Sequence, residues 1–147
     1  CDFGYNDPTV MVHIRIDGLN MYIDLLEYES KLLLDEMAVR MLSHTRTYVY
    51  CDSAEPRTIE ELKRRGVSAR AAKKGGDSVR QRIMFIKQHH LYVTKRSVQL
   101  LDEWRKFKWE EDKDGKITDK PINQYKHCSD AVSYAISRAI KRGTRLL

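Results

Sequence analysis

The sequence predicts an α/β domain: a mixed β-sheet, opened by a hairpin meander and continued by parallel strands, with helices on both faces. Three observations predict it. Val10, Val12, Ile14 and Ile16 alternate with Met11, His13 and Arg15, so residues 10 to 16 form a strand with one buried side. Asp17-Gly18-Leu19-Asn20 then turns the chain into a returning strand, Met21 to Tyr28. Beyond residue 30, helical periodicities alternate with short apolar runs, the pattern of crossover connections in a sheet flanked by helices.

Asn6-Asp7-Pro8 is a turn, so residues 1 to 4 can end an earlier strand. Leu33, Met37 and Met41, with Leu34, Ala38 and Leu42, repeat at helical spacing over about 30 to 43. Thr47 to Cys51 is β-branched and aromatic without polar alternation, which suits a central strand covered on both faces. Thr58-Ile59-Glu60-Glu61 reads as a capping box opening a short helix that Gly66 closes. Val67 to Ala72 is a further strand, Ser78 to Gln88 an amphipathic helix, and Leu91 to Val93 a short strand. Ser97 is expected to cap a helix carrying Val98, Leu101 and Trp104, and Asp112 to Gly115 is a turn. The last helix is expected over about Ser129 to Arg142, with Val132, Ala135, Ile136 and Ala139 inward and Gly143 as its stop.

The length of 147 residues fits one domain able to bury a core, and 41% hydrophobic with 33% charged residues excludes a disordered chain. A formal charge of +6 favours a polyanionic partner. Cys1, Cys51 and Cys128 form no CxxC pair, which argues against a disulfide framework or zinc ribbon and for a reducing compartment. No apolar run is long enough to span a membrane. The opening at Cys1, inside an expected strand, reads as a piece of a longer protein. His89-His90 lacks partner ligands at metal-binding spacing and reads as a helix-end pair. Asp112 to Gly115 lacks the remaining ligands of a calcium loop. Trp104, Phe107 and Trp109 could stack bases, although core packing suits Trp104 better.

Three aspartates share a setting that invites chemistry. Asp2 lies on the first strand segment, Asp52 ends the apolar strand through Cys51, and Asp130 starts the last helix. An unpaired carboxylate at the end of a hydrophobic strand is a poor core residue. If the first strand and the one ending at Cys51 are neighbours, Asp2 and Asp52 lie side by side and repel unless a cation or a proton joins them. A hard divalent ion with oxygen ligands is the usual partner. The same acids also read as surface carboxylates or helix caps, and Asp130 is stable at a helix N-terminus with no metal. Lys73 and Lys74 precede a glycine pair and a helix start at Ser78, where backbone N–H groups suit a phosphate; a solvated basic loop is the other reading.

Cys1 to Thr9, in the order Cys-Asp-Phe-Gly-Tyr-Asn-Asp-Pro-Thr, resembles the opening motif of the nuclease domain of tailed-phage terminase large subunits. Asp52 to Pro56, with Ile59 to Leu62 and Gly66, resembles the second motif. Lys74 to Val79 resembles the lysine-serine segment. Pro121-Ile122 through His127 to Ala131, with Tyr134-Ala135, resembles the third. The resemblance covers nearly the whole chain in order. It implies an RNase H-like fold and endonuclease cutting of concatemeric double-stranded viral DNA with two Mg2+ or Mn2+ ions. Asp2 would bridge both ions, Asp52 would hold one and Asp130 the other. His127 would steer the water or contact the phosphate, or else hydrogen-bond to an acid. Lys74, with Lys73 and Ser78, would contact DNA, and a hairpin over Trp109 to Pro121 would govern DNA entry. The implied partners are an upstream ATPase domain, the small terminase subunit and the portal, with no membrane, in the host cytoplasm. Asn123, Lys126 and Arg82 depart from the family's usual aspartate, asparagine and glycine. A Holliday-junction resolvase or transposase core would use similar acids, and a non-catalytic DNA-binding or docking module would bind without cutting. No Walker lysine loop is present, which excludes an ATPase within these residues.

Overall fold

The computed structural model describes residues 1–73, 78–121 and 125–143. Strand β1 (Thr9–Asp17) turns at Gly18, whose φ of +58° suits glycine, into antiparallel β2 (Asn20–Glu29). Helix α1 (Leu34–His44) leads to β3 (Val49–Cys51), α2 (Pro56–Arg64) and β4 (Ala69–Ala71), and β3 and β4 pair in parallel. Helix α3 (Ser78–Lys87) then leads to β5 (His90–Val93), which pairs in parallel with β2. After α4 (Val98–Lys106) come the small hairpin of β6 (Trp109–Glu111) and β7 (Ile117–Pro121), and helix α5 (His127–Gly143).

Residues 1 and 2 are the seam between the two halves of the main sheet. Asp2 and Val10 exchange backbone hydrogen bonds in antiparallel fashion at 2.9 Å. On the other side the Cys1 nitrogen donates to the Tyr50 carbonyl, and the Asp52 N–H donates to the Cys1 carbonyl at 3.2 Å. That exchange is the parallel pattern. The strands therefore run β4, β3, seam, β1, β2, β5: antiparallel from the seam through β2, and parallel from the seam through β3 to β4 and again between β2 and β5. The predicted mixed sheet is present.

Each face carries its own apolar cluster. Met37, Ala38 and Met41 of α1 and Ile59 and Leu62 of α2 pack with Cys1, Met11, Val49 and Cys51. Leu100 of α4 and Ala131, Val132 and Ile136 of α5 pack with Val10, Val12, Met21, Ile23 and Leu25 from the opposite side, with Phe85 and Ile86 of α3 against them. This corrects the one-sided reading of β1: Met11 points away from Val10 and Val12, yet all three are buried because helices cover both faces there. Cys1, Cys51 and Cys128 are buried free thiols. No helix among the described residues is long and apolar enough to cross a membrane.

Four local expectations are corrected. Helix α1 begins at Leu34 rather than near residue 30, and the Glu36 carboxylate accepts from the Leu33 N–H at 2.9 Å to hold that start. Helix α2 begins at Pro56, a residue suited to the first helical position, so Thr58 lies inside it and its hydroxyl donates to Glu55 instead of capping. Ser97 precedes α4 but makes no side-chain cap; its buried Oγ accepts from the Leu25 N–H at 2.8 Å and so ties α4 to β2. Helix α5 starts at His127, two residues early, and includes Gly143 rather than stopping before it.

Candidate metal centre

The seam, the end of β3 and the first turn of α5 meet at one edge of the sheet. Each brings an acid: Asp2 from the seam, Asp52 from the residue after β3, and Asp130 from α5. Residues separated by a third of the chain or more thus line a single cavity of about 430 Å³, together with His127. The His127 ring Nδ1 lies 3.1 Å from Asp2 Oδ2. Asp52 Oδ1 accepts from the Ala54 N–H at 2.9 Å, and the Tyr134 hydroxyl hydrogen-bonds to the same carboxylate from α5. Tyr134 sits four residues after Asp130, hence on the same helical face.

Alternation explains why the acids face the cavity while the cysteines do not. Cys1 and Cys51 precede Asp2 and Asp52 and point the other way, into the α1–α2 cluster. Burial raises the Cys51 thiol above its ordinary pKa, which disfavours a thiolate.

Burial pushes the Asp2 carboxyl up to about 6; the nearby charge of Asp130 adds to this, and the hydrogen bond from His127 works against it. Burial also raises Asp130, against the opposing charges of Lys126, Arg82 and His127, while Asp52 pushes it further up. These carboxylates oppose one another's ionisation, a conflict that a divalent cation relieves. The donors are hard oxygens, which fit Mg2+ or Mn2+. Among the described residues, no three His, Cys, Asp or Glu side chains stand close enough together to hold a metal ion as they are.

Three charged cavity residues had no role in the sequence reading: Asp7, Arg82 and Lys126. Arg82 and Lys126 were visible only as departures from a pattern. Asp7 carried a signal in Gly4. The Thr9 hydroxyl donates to the Gly4 carbonyl at 2.7 Å and folds residues 4–9 back on themselves. A Cβ on Gly4 would stand 2.4 Å from the Asp7 carbonyl oxygen. The neighbour is backbone and cannot swing aside, so only glycine lets the turn close and bring Asp7 to the cavity. Gly4→Ala is expected to cost roughly 1–3 kcal/mol and to weaken Mn2+ binding, read by thermal melting and calorimetry. An unchanged melt would show that the turn opens freely.

Of the expected DNA contacts, Lys73 is exposed just after β4. Lys74 lies outside the described residues. Ser78 opens α3, but its side chain lies outside them too.

The sequence profile of the family described as "Terminase RNAseH like domain" matches residues 2–138. The chain belongs to the terminase RNase H-like domain family. This terminase domain is 28% identical over 151 residues to the large terminase subunit of Bacillus phage SPP1, covering 97% of the chain and 36% of that relative. It therefore spans about a third of the curated relative's length. It is also similar to the crystal structure of the large terminase nuclease domain from bacteriophage SPP1 with bound Mn. That match has a TM-score of 0.81 at 27% identity and covers 94% of this chain and 83% of the other. The large terminase of a thermophilic bacteriophage shares the fold at a TM-score of 0.76 and 18% identity, covering 94% of this chain and 38% of the other. The RNase H-like fold expected from the motifs is thus the fold of the terminase domain.

Proposed function

We propose that this chain is the nuclease domain of a viral genome-packaging terminase, cutting concatemeric double-stranded DNA by two-metal-ion phosphodiester hydrolysis. One observation carries the reading: Asp2, Asp52 and Asp130, distant in sequence, line one cavity in a fold whose SPP1 neighbour carries bound Mn. Two divalent ions, Mg2+ or Mn2+, would supply Lewis-acid chemistry that activates the attacking water and stabilises the leaving 3′ oxygen. Asp2, central on the seam, would hold both ions, Asp52 one and Asp130 the other. His127 fixes the rotation of the Asp2 carboxylate through its hydrogen bond, and Tyr134 does the same for Asp52. The N-terminus of α5 places the positive end of a helix dipole beside Asp130, which favours its charged form. Lys73, Lys74 and Ser78 belong to the proposal as a phosphate-contacting segment at the start of α3. An upstream ATPase domain, the small terminase subunit and the portal are its proposed partners, in the cytoplasm of an infected or prophage-bearing host.

Asp52→Ala, assayed on plasmid DNA with Mn2+, is expected to lose cleavage on the order of a thousandfold while melting cooperatively. Full activity in a folded Asp52→Ala protein would remove that acid from the chemistry and the reading with it. Preference for four-way junctions over linear duplex would favour a resolvase. Tight, salt-sensitive binding without metal-dependent cutting would favour a docking module.

A further inference from the structure

The cavity that gathers the carboxylates also receives two cations, Arg82 from α3 and Lys126 from the residue before α5. Arg82 is half-buried, and its charge acts on Asp130 and Tyr134. It also borders a second, apolar cavity lined by Ile83, Ile86, Trp104 and Phe107. The aliphatic stem thus has an apolar bed while the guanidinium reaches the acids, an arrangement that limits the rotamer freedom lost on meeting a ligand.

Charge balance says what that ligand is. Asp2, Asp7, Asp52 and Asp130 place four negative charges at this cavity, and Arg82 and Lys126 two positive ones. Two divalent ions would cancel the carboxylates and leave the arginine and lysine in excess. A phosphodiester carries one negative charge at rest and about two as hydroxide adds to phosphorus, the attacking water having given its proton to the solvent. The site becomes neutral at the transition state only with both side-chain cations present. Arg82 offers a planar fork of N–H donors that matches two phosphate oxygens, whereas Lys126 is a point charge.

We propose that Arg82 is a catalytic residue that grips the scissile phosphate, donating two N–H bonds to its non-bridging oxygens from the wall facing the sheet-borne acids. The proposal rests on the nuclease reading and assigns that site's phosphate-binding group.

The test compares Arg82→Gln and Arg82→Lys with the unaltered chain on a short linear duplex. Binding is measured in Ca2+ across a salt series, cleavage in Mn2+ under single turnover, and Mn2+ affinity by calorimetry. Arg82→Gln should flatten the slope of log affinity against log salt by about 0.9 and slow cleavage on the order of a hundredfold, with Mn2+ affinity equal or higher. Arg82→Lys should restore the slope but only part of the rate, because it supplies charge without the fork. An unchanged slope and rate in Arg82→Gln would overturn the assignment. So would a loss of Mn2+ binding, which would make Arg82 an organiser of the acids. Should the unaltered chain bind duplex yet never cut it, the nuclease reading falls. The binding arm still decides the phosphate contact in that case: a flatter slope in Arg82→Gln supports it and an unchanged one overturns it.

Discussion

Asp2→Asn is expected to abolish cleavage and yet raise the melting temperature of the metal-free domain at neutral pH. The two effects share one cause. The Asp2 carboxyl titrates near 6 in the folded chain, because burial and the Asp130 charge oppose its ionisation, against about 3.9 when unfolded. Below both values the folded and unfolded states bind the same proton and Asp2 adds no cost. Between them the unfolded chain gives up its proton first, so the folded state loses ground as pH rises. Above 6 the full cost is present, on the order of 3 kcal/mol. Asparagine removes that cost while its amide oxygen can still meet the His127 ring, so the gain should appear at pH 7 and vanish near pH 3.5. Mn2+ should reverse the ranking: it stabilises the unaltered chain by mass action and leaves Asp2→Asn nearly unmoved. Melting curves at two pH values, with and without Mn2+, check both signs. An Asp2→Asn protein that melts lower than the unaltered chain without metal at pH 7 would mean that the bond to His127 outweighs the cost of burying the charge.

The second large effect belongs to Glu103, on the far side of α5 from the cavity. Its side chain is only 4% exposed. One carboxylate oxygen accepts from the Cys128 N–H at 2.7 Å and the other from the Tyr28 hydroxyl at 3.0 Å. Burial and the Glu103 charge hold the Tyr28 phenol well above its ordinary pKa, so it stays a donor. Glu103 thus satisfies an orphan amide of the α5 N-terminus and anchors it to β2. Glu103→Ala would leave one buried and one half-buried donor unmet, at a cost of about 3 kcal/mol and roughly 10 °C of melting temperature. Cys128 lies between His127 and Asp130, so the folded fraction should also bind Mn2+ more weakly. Glu103→Gln should recover most of both, since its amide can accept from Cys128 and still meet Tyr28. A Glu103→Ala protein that melts at the original temperature would show that water replaces the carboxylate.

Glu103 also marks where sequence reasoning ran out. In α4 it sits between Leu101 and Trp104 and reads as one more charged residue on an amphipathic helix; its partners lie 25 and 75 positions away. Ser97 failed for the same reason. The local rule for a cap was satisfied, but a β2 amide claimed the hydroxyl. Asp52 was legible because it follows a short apolar strand and Asp2 because it lies on a strand segment before a turn, and the pleat turns a residue after a buried cysteine to the opposite face. Asp130 was legible through its helix start. That the three meet, and that Asp7, Arg82 and Lys126 join them, depends on strand order across the seam, which no local spacing encodes.

The seam makes the joint between the half-sheets measurable. Three amides close it: Asp2 and Val10 donate to each other's carbonyls, and Asp52 donates to Cys1. Breathing on the β1 side of the seam exposes the Asp2 and Val10 N–H groups to solvent deuterium, and breathing on the β3 side exposes that of Asp52. A cation that draws the Asp2 and Asp52 carboxylates together should therefore slow isotope uptake at all three positions while distant amides keep their rates, reporting assembly of the centre without a cut in any DNA.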